Sequence, residues 1–359
     1  MPCRCTTRRY DRASICPCRR AKLPWLSSAW RRGTGGGATE GSHLVDRTAP
    51  LTRHQMNAHS GAEASNRHFH LKYFDPPKGL EQHVLALFHF RWEEPEIADR
   101  HPGALGQLFF TPYGSGEVRF GDRVQKIDGQ PYMFSGFRTA APFRMSGPWH
   151  AIGASLSPLG WAALSGADAQ THLDRFTPAD ELLGTEVVTF QDDLVARYRS
   201  GETSGPECCA ELAGWIARRL KAVSRPHEVV ITTVLAWLGT SLNPDIEALY
   251  EKLAYSRRQS ERLVAKYFGF APAALARKMR AVRAAHLLAQ PDLSDEAEAE
   301  IASAFYDQPH MINEIRRYCG YTPSRLGGAA EPLFQTMLRM KNLNRLSPFV
   351  ELGLEDHAA

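Results

Sequence analysis

The sequence predicts a multidomain chain, with a β-rich amino-terminal domain ahead of an all-α carboxy-terminal domain that carries two helix-turn-helix units. Three observations predict it. Between His68 and about Phe190, apolar runs of four to seven residues alternate with Gly, Asp and Pro breaks, the rhythm of a β barrel or sandwich. From Val229 to Leu326 the apolar spacing turns helical, and a short-helix, turn, helix pattern occurs twice. Eight bases and one acid then crowd between Ser256 and Arg283, a local net charge of +7 in a chain whose whole charge is +4.

A length of 359 residues leaves room for two or three domains, and 43% hydrophobic with 23% charged residues is a globular composition. No run of 18 apolar residues occurs, so no transmembrane helix is expected. Residues 1–66 hold Cys3, Cys5, Cys16 and Cys18, many arginines and the Gly33–Gly37 region, without apolar periodicity. They are expected to be a disordered extension, with Met56 an alternative start. Paired C-x-C sequences hold sulfurs less well than C-x2-C, so no zinc site is expected there. Leu23–Trp30, broken by Pro24 and two serines, does not make a secretory signal. Cys208, Cys209 and Cys319 fall in helical contexts as small buried hydrophobes of a reduced, cytoplasmic protein.

Strands are expected at Val84–Phe90, Leu105–Thr111, Glu117–Phe120, Val124–Ile127, Pro131–Phe134, Phe143–Met145 and Ala151–Leu156. Turns are expected at 112–116, 121–122, 128–129, 135–136 and 146–148, with Asp128-Gly129 read as a hairpin. Pro158–Ala167 reads as a short helix and Leu173–Leu183 as a capped loop and helix. Phe109, Phe120, Tyr132, Phe134, Phe137, Phe143 and Trp149 either line an apolar ligand pocket or fill the core between sheets. His68-x-His70 has no Glu spaced to share its face, and His83, His89, His101, His150 and His172 are scattered. Neither a metal centre, a cofactor nor a catalytic residue is therefore expected. Residues 186–222 read as helices broken by the 200–206 loop, and Ser224–Pro226 as a boundary.

Ile231–Leu242 is expected to be a helix stopped by Asn243-Pro244. Asp245 caps a short helix, Ile246–Leu253, and the turn Ala254-Tyr255 leads to Ser256, the N-cap of a helix from Arg257 to Phe268 that Gly269 ends. Leu263, Val264, Tyr267 and Phe268 face inward; Arg257, Arg258, Glu261, Arg262 and Lys266 face outward. Pro272 to Ala289 forms the next helix, with Arg277, Lys278, Arg280 and Arg283 around an apolar stripe. The second unit repeats the plan: Glu296–Ala304, the turn Phe305-Tyr306, the N-cap Asp307, a helix Gln308–Cys319 and the stop Gly320. Its outward side chains are Gln308, His310, Asn313, Arg316 and Arg317. Like charges as dense as the +7 stretch need a polyanion to neutralise them, so that stretch is expected to face phosphate.

Ser256-Arg257-Arg258-Gln259 … Tyr267-Phe268-Gly269-Phe270-Ala271-Pro272 resembles the first half of the AraC/XylS family's DNA-binding domain. Tyr306-Asp307-Gln308-Pro309-His310-Met311 … Arg316-Arg317-Tyr318-Cys319-Gly320-Tyr321-Thr322-Pro323 resembles its second half. The likeness covers about residues 228–327. It departs at Ala254 and Ala304, where the family has turn glycines, and at Ser260, where it has leucine. The resemblance implies two units joined by a rigid helix about 27 Å long, against roughly 34 Å between successive major grooves. The family's base-reading positions fall on Arg258, Glu261 and Arg262, then on Gln308, His310 and Asn313. Arginine can pair with guanine, Asn or Gln with adenine and Glu with cytosine. Arg257, Lys266, Arg316 and Arg317 suit phosphate.

The expected organisation is therefore a 67–185 cupin-like or sandwich sensor domain, a 186–226 linker or dimerisation segment, a 227–327 DNA-binding domain and a 328–359 tail. The expected partners are double-stranded DNA, RNA polymerase, a small-molecule effector and a second copy of the chain, with no membrane. A cupin-type metalloenzyme and an effector-independent architectural DNA binder are the alternatives.

Overall fold

The computed structural model describes residues 63–65, 69–289 and 293–326. The expectations for residues 1–62 and for the tail 328–359 lie outside the described residues. Among those described, nine strands make one sheet: β1 (Glu63–Ser65), β2 (Phe69–Phe74), β3 (Val84–Trp92), β4 (Glu96–His101), β5 (Gly106–Phe120), β6 (Arg123–Ile127), β7 (Tyr132–Phe134), β8 (Ala141–Leu156) and β9 (Thr177–Pro178). Their order is β1-β2-β3-β8-β5-β7-β9, with β4 on β8 and β6 on β5. Strand β1 falls inside the stretch expected to be disordered, so the β domain starts at least as early as Glu63.

Two long strands organise the sheet. The first half of β8 pairs with β4, from Ala141↔His101 to Ser146↔Glu96, and its second half with β3, from Trp149↔Trp92 to Leu156↔Val84. Strand β5 likewise takes β7 near its start and β6 near its end. The result is one continuous curved sheet rather than the two sheets of a sandwich. Side-chain alternation gives it two buried faces. Leu108, Phe110, Ile152 and Ala154 point toward helices, while Phe109, Phe143, Met145 and Ala151 join Phe88, Phe90, Phe134, Phe137 and Phe176 in an aromatic interior.

Three expectations need correction. Pro112–Gly116 and Ser146–Pro148 are not turns; they lie within β5 and β8, where the register shifts between Phe110, Tyr113 and Ser115. Gly and Pro mark bulges in long strands there rather than strand ends. Asp128-Gly129 is not a hairpin either, because β6 and β7 pair with opposite ends of β5 and not with each other. The tight hairpin is Gly121-Asp122, between Phe120 and Arg123. Strand β4 was missed altogether: Glu-Ile-Ala-Asp-Arg-His contains a single β-branched residue, and Ile97 supplies its contact with the interior.

Ten helices follow among the described residues: α1 (Pro158–Ser165), α2 (Asp180–Leu183), α3 (Glu186–Ser200), α4 (Gly205–Ala217), α5 (Arg225–Gly239), α6 (Ile246–Lys252), α7 (Arg257–Phe268), α8 (Pro272–Ala289), α9 (Asp295–Ala304) and α10 (Gln308–Cys319). Helix α4 begins earlier than the apolar spacing suggested, because Ser204 and Glu207 form a capping box. Helix α5 also starts and stops earlier, with Pro226 in its first turn, where its missing N–H has no cost. The apolar faces of α3 and α4 cover the sheet: Val187, Leu194, Cys208, Leu212, Trp215 and Ile216 cluster with Leu87, Leu108 and Phe110. This segment is thus part of the β domain's core rather than a free-standing linker.

The third cluster belongs to the helical domain. Val230, Ile231, Val234 and Trp237 of α5 meet Leu249, Val264, Tyr267, Phe268, Leu275 and Met279. Leu85 and Leu159, from the β domain, share that cluster, so the first helix-turn-helix unit is packed against the β domain. The second unit docks too. Tyr321 donates its hydroxyl to Asp99, Arg100 lies over the Tyr321 ring at 5.3 Å, and Ala140 N–H donates to the Arg317 carbonyl at 3.0 Å.

Candidate nucleic-acid interface

Each unit consists of a short scaffold helix, a turn and a capped second helix. In the first, Asp245 caps α6 by accepting from Glu247 N–H at 3.1 Å. Ser256 then closes a reciprocal capping box with Gln259 at the start of α7, and Gly269 ends α7 in the left-handed conformation at φ 80°. In the second, Asp307 accepts from His310 N–H at 2.8 Å at the start of α10, and Gly320 stops it at φ 83°. Helix α8 spans 18 residues between the units.

Helix α7 presents its charges as the spacing predicts. Arg257, Arg258 and Arg262 are exposed and Glu261 and Lys266 half-buried, while Leu263, Val264, Tyr267 and Phe268 are buried. The outward residues are not equivalent, however. Arg257 is drawn onto the scaffold helix, 3.1 Å from Glu247 and over the Tyr250 ring at 4.6 Å. Glu261 accepts from the Tyr250 hydroxyl at 3.1 Å. Arg258 and Arg262 form no ion pair among the described residues. Ser260, buried and without a hydrogen-bond partner for its hydroxyl, occupies the inner position where the resembled family has leucine.

On α10, Asn313, Arg316 and Arg317 are exposed and Gln308 half-buried. His310 is committed inward, with Nε2 3.2 Å from Glu314. Sequence reading passed over Glu314, which is the keystone of this region. Its buried carboxylate takes two guanidinium bonds from Arg280, at 2.6 and 3.1 Å, and lies 3.5 Å from Arg277. Arg280 also donates to Asn243 Oδ1 at 2.8 Å, so one side chain of α8 ties the second unit to the loop that opens the first. The i, i+4 spacing of His310 and Glu314 was the signal that could have found it.

The +7 stretch therefore does not form one phosphate-facing surface. Lys278 is 1% exposed and donates to the Gly103 carbonyl at 2.6 Å and to the Phe137 carbonyl, both in the β domain. Arg283 donates to the Leu238 and Ser241 carbonyls, each at 2.9 Å. With Arg280 these make three of the eight bases internal ties. Among the described residues no carboxylate forms an ion pair with Lys278, and burial pushes its pKa down to about 7.

Two cavities lie behind the interface. One, with about 830 Å3 of free space including its mouth, sits between the β domain and the first unit, lined by Trp161, Leu235, Phe268, Phe270, Lys278 and Arg283 among others. The other, about 710 Å3 measured the same way, opens into the aromatic interior beside Phe88, Phe90, Phe109, Phe143 and Trp149. Phe109, Phe134, Phe143 and Trp149 of the expected aromatic set line it, whereas Phe120, Tyr132 and Phe137 pack outside it. Among the described residues no group of three or more His, Cys, Asp or Glu is placed to hold a metal ion. No described helix is long and apolar enough to cross a membrane.

Residues 249–327 match a family model described as "Helix-turn-helix domain". No curated protein matches the chain. Among solved structures, ToxT from Vibrio cholerae O395 is similar at 9% identity, with 70% of this chain and 96% of that chain covered and a TM-score of 0.39. A variant of oxalate decarboxylase from Bacillus subtilis is similar at 14% identity over 35% of this chain and 39% of that one, with a TM-score of 0.22. The matched stretch spans both units, and the Asp307-Gln308-x-His310 … Gly320-x-Thr322-Pro323 pattern sits on and just after the second of the two capped helices; residues 249–327 thus form a helix-turn-helix domain.

Proposed function

We propose that α7 and α10 enter successive major grooves on one face of the DNA. Arg258 and Arg262 read bases in the first groove and Gln308 and Asn313 in the second, while Arg257, Lys266, Arg316 and Arg317 hold phosphates. The observation that carries this reading is the pair Arg258 and Arg262: both are exposed on a capped, well-packed helix and neither forms an ion pair among the described residues. Glu261 and His310, bonded to Tyr250 and Glu314, act at the bases only through rotamers that give up those bonds. Arg262→Ala is expected to cost about 1–3 kcal/mol of binding and to relax one base position. Measured affinities on a duplex selected by the full-length chain check this; unchanged affinity with unchanged preference contradicts it.

Control by a small effector belongs to the same proposal, and the cavity between the β domain and the first unit suits it best. An occupant there touches both halves, so its binding energy can differ between DNA-competent and incompetent arrangements. The cavity walls are mostly apolar, and the ammonium form of Lys278 uses two of its three N–H groups on carbonyls, leaving one for a ligand. An elongated apolar molecule with one anionic or hydrogen-bond-accepting end fits this chemistry. A thermal-shift screen of such compounds should find ligands that raise Tm and change DNA affinity together; ligands that raise Tm with no effect on DNA binding contradict the assignment. Recruitment of RNA polymerase and pairing with a second copy complete the proposal. Because α3 and α4 bury their apolar faces on the sheet, a second copy would meet their charged outer side or the β domain.

A further inference from the structure

Tyr306 is 93% exposed, far beyond Val229 at 45% and Val124 at 44%, the other large hydrophobic side chains exposed among the described residues. It stands in the turn of the second unit, immediately before the N-cap Asp307. A tyrosine left in water in this way is not held there by its side chain: its backbone N–H bonds His310 Nδ1 at 3.4 Å, while its hydroxyl has no partner among the described residues.

The start of α10 is also a poor anion site. Helix N-termini bind phosphate through the free N–H groups of their first turn. Here Pro309 has no N–H, and the His310 N–H is taken by the Asp307 carboxylate. Only the Gln308 N–H remains of the first three. The first unit keeps two, on Arg257 and Arg258, since only the Gln259 N–H is used by Ser256. Helix α10 carries its arginines in its last turn, at Arg316 and Arg317, and the guanidinium near its start, Arg280 over the Phe305 ring at 5.0 Å, is committed to Glu314.

We infer that the Tyr306 hydroxyl donates to a DNA phosphate at the leading edge of the second unit, in place of the helix N–H groups that Pro309 and Asp307 remove. The contact positions the unit without reading sequence. It rests on the proposed entry of α10 into a groove, so Asn313→Ala serves as the reference variant.

The test uses the full-length chain and a duplex it selects from a random pool. Tyr306→Phe should weaken binding about 3- to 10-fold, by the loss of one hydrogen bond, on preferred and unpreferred sequences alike. The slope of log affinity against log salt should stay at its wild-type value, because a neutral hydroxyl releases no counterion, whereas Arg316→Ala should flatten it. Ethylation of one phosphate beside the second half-site should weaken the wild type and have no effect on Tyr306→Phe. Wild-type binding by Tyr306→Phe overturns the inference, even if Tyr306→Ala is weak, since the ring rather than the hydroxyl would then act. A changed base preference in Tyr306→Phe also overturns it. If Asn313→Ala binds as wild type together with Tyr306→Phe, the groove entry of α10 falls as well; if Asn313→Ala is weakened while Tyr306→Phe is not, only the Tyr306 contact is lost.

Discussion

Glu314→Ala is expected to lower the unfolding free energy by about 3 kcal/mol, the lower end of what breaking a buried ion pair costs. Glu314 and Arg280 keep only 10% and 12% of their side-chain surface, so removing the carboxylate leaves a guanidinium facing protein with little water to replace its partner. The loss stays at the lower end because Arg280 retains its bond to Asn243. Glu314→Gln keeps a hydrogen-bond acceptor without the charge and should lose roughly half as much. The same variants release His310 and Arg277, so DNA affinity should fall mainly at the second half-site. Urea unfolding of both variants checks the stability claim. A loss below about 0.5 kcal/mol for alanine would place the pair among solvated surface bridges instead.

Acidification from pH 7 to 4.5 is expected to destabilise the protein by several kcal/mol before most carboxylates titrate. Burial lowers the pKa of His89 to about 4, helped by the nearby charges of Arg91, His150 and His70; burial, with Lys278 beside it, lowers His101 to about 4 as well. The His89 ring is wedged against Gly205 and shares the Tyr198 hydroxyl with His150, at 2.8 and 2.9 Å. Both folded values lie below the unfolded value of about 6.5, so between about pH 6.5 and 4 the unfolded chain binds protons that the folded chain refuses. The histidine contribution to stability is therefore full above pH 6.5, is lost as pH drops toward 4 and changes no further below it. A shift of 2.5 units corresponds to about 3 kcal/mol for His89, with a further contribution from His101. Denaturant midpoints measured across this range should show the decline, and His89→Gln should flatten it. A pH-independent midpoint between 7 and 4.5 would contradict it.

The two helix-turn-helix units were legible nearly to the residue, whereas α5 before them was placed too late. Ser256, Gly269, Asp307 and Gly320 are local signals whose effect is decided within one turn of chain, and α7, α8 and α10 begin and end where those residues and Pro272 place them. The β domain was less legible because strand pairing is not local. Pro112–Gly116 and Ser146–Pro148 carry turn composition, yet the strands opposite them hold the chain extended through bulges. The outward face of α7 was legible from its period of 3.6, but the fate of each charge on α8 was not. A basic residue on a helix reads the same whether it meets phosphate, as proposed for Arg262, or a backbone carbonyl of another domain, as Lys278 does. Glu314 was passed over for the converse reason: apart from its i, i+4 spacing from His310, one acid among bases looks like a surface pair until α8 closes over it.

Base-modification interference on a duplex selected by the full-length chain tests the two-groove account most directly. Two clusters of major-groove interference are expected on one face of the DNA, about one helical turn apart. Arg262→Ala should erase a position in the first cluster only, and Asn313→Ala a position in the second only. A single cluster, or two clusters on opposite faces of the duplex, would contradict the account.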